Sequence, residues 1–256
     1  MKQGISQPVL LSIILCLAFF IPAIIFVGNF VDFAGETSVI ENCRLSIIAN
    51  SEIRGALLPW ESAERERAPI NCKMRPASTI TLSNAGRGTS EVQQYTLIRL
   101  LADELKTTHY KHAGSVPHLL PFGESRFPRN YCFLDRHIVF EEALARRIPT
   151  ITFLHQTLAD MTFDTDENYL YYLYGVETPE ALDERLIELM GLESHSQRDA
   201  ILDRVSMHSI DTSQEYILLQ FGRKVGTGDE AHYTSFPLLV SAAELGSIGC
   251  NEYFGR

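Results

Sequence analysis

The longest uninterrupted apolar stretch of the chain comes first: Pro8 to Gly28 reads PVLLSIILCLAFFIPAIIFVG, with no charged residue. Rising about 1.5 Å per residue as a helix, such a run matches a hydrocarbon core of about 30 Å, so the pattern predicts an N-terminal transmembrane helix. A cleavable signal peptide has an apolar region of only about 7 to 15 residues, closed by a small-x-small site. The flank NFVDFAGE offers no good site of that kind. Pro22 removes one backbone hydrogen bond inside the run, which spanning helices tolerate. Lys2 precedes the run, whereas Asp32, Glu36 and Glu41 follow it before the first base, Arg44. Because positive charge is retained on the cytoplasmic side, the flanks predict a cytoplasmic N-terminus and an exterior remainder, a signal-anchor arrangement in the cell membrane. The expected division is a stub and anchor over 1–31, a juxtamembrane linker over 32–42 and an exterior domain over 43–256.

Beyond the anchor the periodicity shifts repeatedly. CRLSIIA (43–49) and ASTITLS (77–83) read as strands, the second with Ile80 and Leu82 alternating against hydroxyl residues. NAGRG (84–88) is a turn. TSEVQQYTLIRLLADELKTT follows as an amphipathic helix, with Val92, Tyr95, Ile98, Leu101, Ala102 and Leu105 expected on its apolar face. The proline-bearing segment 106–130 reads as irregular loop. YCFLDRHIVFEEA resumes a strand that turns helical from Glu141, and RIPTITFLHQ is an apolar run of undecided type. TPEALDERLIELMG is the best-marked helix, with Thr178 as N-cap, Pro179 at its first position and Gly191 as its stop. SQRDAILDRV (196–205) reads as a further short helix, SQEYILLQFGR (213–223) as a strand, and SFPLLVSAAELGSIGC as a last apolar element. Strands, then helices, then strands without regular alternation predict an α+β exterior domain behind one transmembrane helix.

Composition narrows the partners. The chain of 256 residues carries a formal net charge of -10, which argues against nucleic acid or anionic headgroups as ligands. Cys16 lies in the apolar run, leaving Cys43, Cys72, Cys132 and Cys250 as an even set for an exterior, oxidising compartment. Three pairings are open to four cysteines. Cys43 and Cys72 flank a charge-rich excursion, which suits a staple across it, and a Cys132 to Cys250 bridge would tie down the C-terminus. The cysteines are isolated from one another rather than arranged as C-x-x-C, which disfavours a metal site.

Few side chains suggest chemistry. His109 and His112, with His118 beyond, are a candidate metal set, but no H-E-x-x-H spacing accompanies them, and solvent-facing histidines are the plainer reading. On a strand Asp135 and His137 would share a face with Arg136 opposite, a pair able to orient a general base, yet no nucleophile elbow appears. DTDEN (164–168) lacks the glycine and terminal glutamate of a calcium loop. In YLYYLYG, Tyr169 and Tyr172 combine large apolar area with hydroxyls, which suits a protein contact as well as a core. No cofactor is indicated.

The ordered set ENCRLSI, PINC, YCF, YLYYLYG and DTSQEYILLQF resembles a diffuse group of uncharacterised prokaryotic single-pass membrane proteins with a cysteine-bearing exterior domain. The resemblance implies exterior placement and a Cys43 to Cys72 pairing, and it implies no activity. The sequence thus leads to an anchored envelope protein whose exterior domain contacts another membrane or envelope protein, as an accessory or scaffold subunit. Lipid would be met only through the N-terminal helix. The alternative is an anchored hydrolase using Asp135, His137 and the loop histidines, with or without a metal.

Overall fold

The computed structural model describes residues 35–48, 70–112, 130–164, 167–192, 209–225 and 232–255. The chain divides into two compact units, Met1–Val39 and Ile40–Arg256. Of the first, residues 35–39 are described and are helical. The second opens with helical residues 40–48 (α1) and holds all the elements that follow.

Helix α2 (Ser90–Lys111) and strand β2 (Asn130–Phe140) form the spine of this unit. One edge of β2 pairs antiparallel with β7 (Tyr216–Val225), which pairs in turn with β8 (His232–Ser241). Two short strands also pair with β2, both in parallel: β1 (Ser78–Ile80) along Ile138 to Phe140, and β9 (Glu252–Phe254) along Tyr131 to Phe133. Between these two pairings lies a bulge, where the register with β7 jumps from Leu134 to Arg136 and leaves Asp135 as the extra residue. Pro237 sits in β8 at the end of the strand order, the edge position at which a missing donor is tolerated.

Four further helices, α3 (Glu142–Arg147), α4 (Leu154–Asp160), α5 (Tyr169–Tyr174) and α6 (Pro179–Met190), accompany the sheet. Minor ribbons are made by β3 (Thr150–Thr152) with β6 (Ser209–Asp211), and by β4 (Thr162–Asp164) with β5 (Glu167–Asn168). α2 contacts β7, β8, α4 and α5, and α6 contacts α4 and α5. The main core joins Leu97, Leu101 and Leu105 of α2 to Leu218, Phe221 and Phe236 of the sheet and to Leu170, Leu182 and Leu186 of the smaller helices. A second apolar cluster gathers Cys43 and Ile47 of α1, Cys72, Tyr131 and Phe133.

Several sequence expectations need correction. In place of an α+β domain behind a transmembrane helix, the described residues form a mixed α/β arrangement of sheet and helices. No helix among them is long and apolar enough to cross a membrane. The apolar run 8–28 lies outside the described residues, as do 49–69, 113–129 and the expected short helix at 196–205. Residues 43–48 are helical rather than extended. The β-branched Ile47–Ile48 pair imitates a strand, but burial follows the i, i+4 spacing of Cys43 and Ile47, with Leu45 exposed between them. On α2 the expected Ile98, Leu101, Ala102 and Leu105 are buried, whereas Val92 and Tyr95 are exposed and Gln93 and Leu97 turn inward instead. That helix extends to Lys111, past the lysine and threonines read as the start of a loop, because Thr108, His109 and Lys111 are themselves buried against β2 and β7.

Candidate functional site

The seam between α2 and β2 concentrates the polar chemistry of the unit. Arg136 opposes Leu218 and reaches Glu104 on α2 at 2.6 Å, so this face of the strand looks at the helix. His137 opposes Ile217 on the next position and therefore points the other way. The bulge breaks the alternation that would have set Asp135 beside His137. Asp135 instead meets α2, with Thr108 Oγ1 2.6 Å from its Oδ2 and Lys111 Nζ 2.6 Å from its Oδ1.

Arg75 closes the cluster from the segment before β1. Its Nε and Nη2 donate to Asp135 Oδ2 at 3.0 and 2.5 Å, and Nη2 lies 2.9 Å from Glu104 Oε2. Lys111 also donates to the Lys73 carbonyl at 2.6 Å. Lys111 and Asp135 are fully buried, and Arg75 nearly so. Burial alone would raise the Asp135 carboxyl, but the charge and hydrogen bonds of Arg75, with Lys111 beyond, hold it well below the usual carboxylate range. Burial pulls Lys111 downward, opposed by the same carboxylate. With three cations and two carboxylates each engaged by another, the arrangement fixes α2 to β2 and offers no free base.

The two buried histidines of α2 diverge. His109 Nδ1 lies 3.4 Å from Gln220 Nε2, and its ring meets Tyr172 edge-on. His112 stacks on Phe133 and sets Nδ1 2.9 Å from the Thr108 carbonyl. Burial lowers both to about 4, with Arg44 adding to the effect at His109 and Asp135 opposing it at His112. His118 lies outside the described residues, as do Thr165 and Asp166 of the acidic stretch. Tyr169 is buried, its hydroxyl 2.5 Å from Asp103 Oδ1, and burial together with that carboxylate pushes the phenol up to about 12. Tyr172 is partly buried against the main core.

Both expected disulfides are present: Cys43–Cys72, with Cα atoms 4.4 Å apart, and Cys132–Cys250, at 5.9 Å. Among the described residues one set of cysteines, histidines and acids has the proximity of metal ligands, and it consists of Cys43, Cys72 and His112, whose ligand atoms lie within 4.8 Å of one another. Sequence spacing hid this set, since 29 residues separate the two cysteines.

A second feature lies on the surface. Phe153 is the one described non-glycine residue with positive φ, at 60°, and it is 73% exposed. It is the single residue between β3 and α4, so the backbone passes from strand to helix there in one step. Such a step favours glycine or asparagine, and an exposed phenylalanine gains nothing from burial. Next to it, Thr152 Oγ1 lies 3.5 Å from Gln94 Oε1, which places the turn beside the α2 turn carrying exposed Val92 and Tyr95. No protein-family model, curated protein or solved structure matches the chain.

Proposed function

We propose that the Ile40–Arg256 unit is an interaction domain, an accessory or scaffold subunit working in an oxidising compartment outside the cytosol. Phe153 carries this reading. A bulky side chain kept in left-handed backbone costs stability of order 1 kcal/mol, and at 73% exposure its own burial offsets little of that, the pattern expected where the cost serves recognition. Aromatic side chains of this kind act as anchors in partner pockets, and Tyr95 and Val92 supply apolar area on the neighbouring helix. The two disulfides support the compartment. The partner is another envelope protein that offers an apolar pocket for the ring.

Phe153→Gly tests this proposal because recognition and stability move in opposite directions. Glycine relieves the backbone, so thermal unfolding should shift upward, by a free energy of about 1 kcal/mol. Proteins captured by the wild-type chain from gently solubilised cells, identified by mass spectrometry, should be lost by the variant. An unchanged set of captured proteins, or a lowered unfolding temperature, would remove the basis of the reading. Self-association abolished by the same substitution would replace the envelope partner with a second copy.

A further inference from the structure

Against the second apolar cluster, stacked on Phe133, lies the buried imidazole of His112. His112 Nδ1 faces the Thr108 carbonyl at 2.9 Å, and a ring nitrogen facing a carbonyl must carry the proton, so Nε2 bears the lone pair. That Nε2 is buried and has no hydrogen-bond partner among the described residues. His112 belongs to the group in which the sulfurs of Cys43 and Cys72 and one of its ring nitrogens lie within 4.8 Å of one another. Ile47, Tyr131 and Phe133 surround these residues with apolar side chains, so the nitrogen is sheltered from water as well as unpaired.

We propose that Cys43, Cys72 and His112 form a redox-gated site for one thiophilic d10 cation, Zn2+ or Cu+, empty while the disulfide is closed and competent once it is reduced. A dithiol supplies the reduction: its two thiols become a disulfide as the Cys43–Cys72 bond takes up two electrons and two protons. Metal binding then releases those two protons as both sulfurs coordinate as thiolates. Typical Zn–S and Zn–N distances of about 2.3 and 2.0 Å place tetrahedral ligands roughly 3.5 to 3.8 Å apart, inside the 4.8 Å that already contains the three ligand atoms. Opening the disulfide lets the two sulfurs move apart to that range.

Three features fit a soft cation in particular. Two thiolates balance the charge of Zn2+ or leave a compact anionic complex with Cu+, and thiolate sulfur is the donor both prefer. The Nδ1–H to carbonyl bond is the support that ligating histidines characteristically have, fixing both ring orientation and tautomer before the metal arrives. The nearby Lys111 and Arg75 are engaged by Asp135 and do not compete for the ligands. This inference is independent of the role assigned to Phe153, which lies on other elements.

The test uses the full chain, reduced with a dithiol that is then removed without oxygen, against the oxidised chain as control. Native mass spectrometry should show one Zn2+ or Cu+ bound per reduced chain and none per oxidised chain. Differential alkylation should show that the metal protects Cys43 and Cys72 and leaves Cys132 and Cys250 reactive. Co2+ in place of Zn2+ should give a sulfur-to-cobalt charge-transfer band. His112→Phe, which keeps the ring stacked on Phe133, should weaken the metal at least tenfold while circular dichroism stays unchanged. Binding by the oxidised chain, protection confined to Cys132 and Cys250, full affinity in His112→Phe, or a reduced chain that keeps its fold without taking metal would each overturn the site. A reduced chain that unfolds and binds nothing would overturn it equally. Retention of Zn2+ but not Cu+, or the reverse, decides which ion it serves.

Discussion

Arg75 and Asp135 are joined through both main chain and side chain. The Arg75 amide donates to the Asp135 carbonyl at 2.6 Å while the guanidinium holds the carboxylate. The contact falls at the bulge, in the interval of β2 between its pairings with β1 and β9. It supplies the hydrogen bond that neither short strand provides there. Removing one partner would leave the other charge buried, so Asp135→Asn and Arg75→Met should each cost about 3–5 kcal/mol in urea unfolding. Replacing Arg75, Lys111 and Asp135 together by apolar residues of similar volume should cost much less than either single change.

Stability should fall as pH drops from 7 to 4. Folded His109 and His112 titrate near about 4, below the unfolded value of about 6.5, so across that window the unfolded chain binds more protons. Their contribution is complete above the unfolded value and drains away on the way down to the folded one, on the order of 3 kcal/mol for each ring. Arg44 beside His109 adds to the sensitivity, and Asp135 beside His112 reduces it. Below about pH 4 the lowered Asp135 adds a further loss of the same sign. Urea midpoints at pH 7 and pH 5 measure the first part, and His109→Gln should shrink the difference between them.

Gly222 opposes Tyr131 across β2 and β7, and a Cβ at that position would run into the Tyr131 ring. Gly222→Ala should therefore destabilise by about 1–3 kcal/mol through overpacking. Combined with Tyr131→Ala the penalty should be less than additive, a coupling that a double-mutant cycle reads directly.

The two disulfides close loops of very different length, with separations of 29 and 118 residues. By chain entropy, Cys43→Ser/Cys72→Ser should lose roughly 3.5 kcal/mol and Cys132→Ser/Cys250→Ser about 5 kcal/mol. Equilibrium unfolding of the two double variants orders them.

Local signals in the sequence placed most elements. Pro179 and Gly191 bracket α6, where Gly191 takes the left-handed conformation at φ 65°. Asn168 caps α5 through Tyr171, and β2, β7 and the turn before α2 stand where their patterns put them. What escaped, the two disulfides apart, was decided at long range. Burial of Thr108 and Lys111 depends on Arg75 and Asp135, and that of His109 on Gln220 and Tyr172, which no helical periodicity encodes. The bulge at Asp135 shifts a polar side chain to the other face, and alternation cannot register an inserted residue. Likewise Cys43, Cys72 and His112 converge from three separate segments, so a search for close spacing passes over them. A lysine within one turn of two histidines, in a stretch that also carries an aromatic, was the one available hint that the end of α2 is interior.

The parallel pairing of β9 with β2 sets an order of events during synthesis. Asn130 to Phe133 emerge from the ribosome more than a hundred residues ahead of Glu252 to Phe254, and Cys132 must wait equally long for Cys250. Until then that rim of the sheet stays open to any extended peptide it meets. From the synthesis of Asn130 onward, roughly the second half of translation, the nascent chain therefore depends on protection of that rim, such as a chaperone gives.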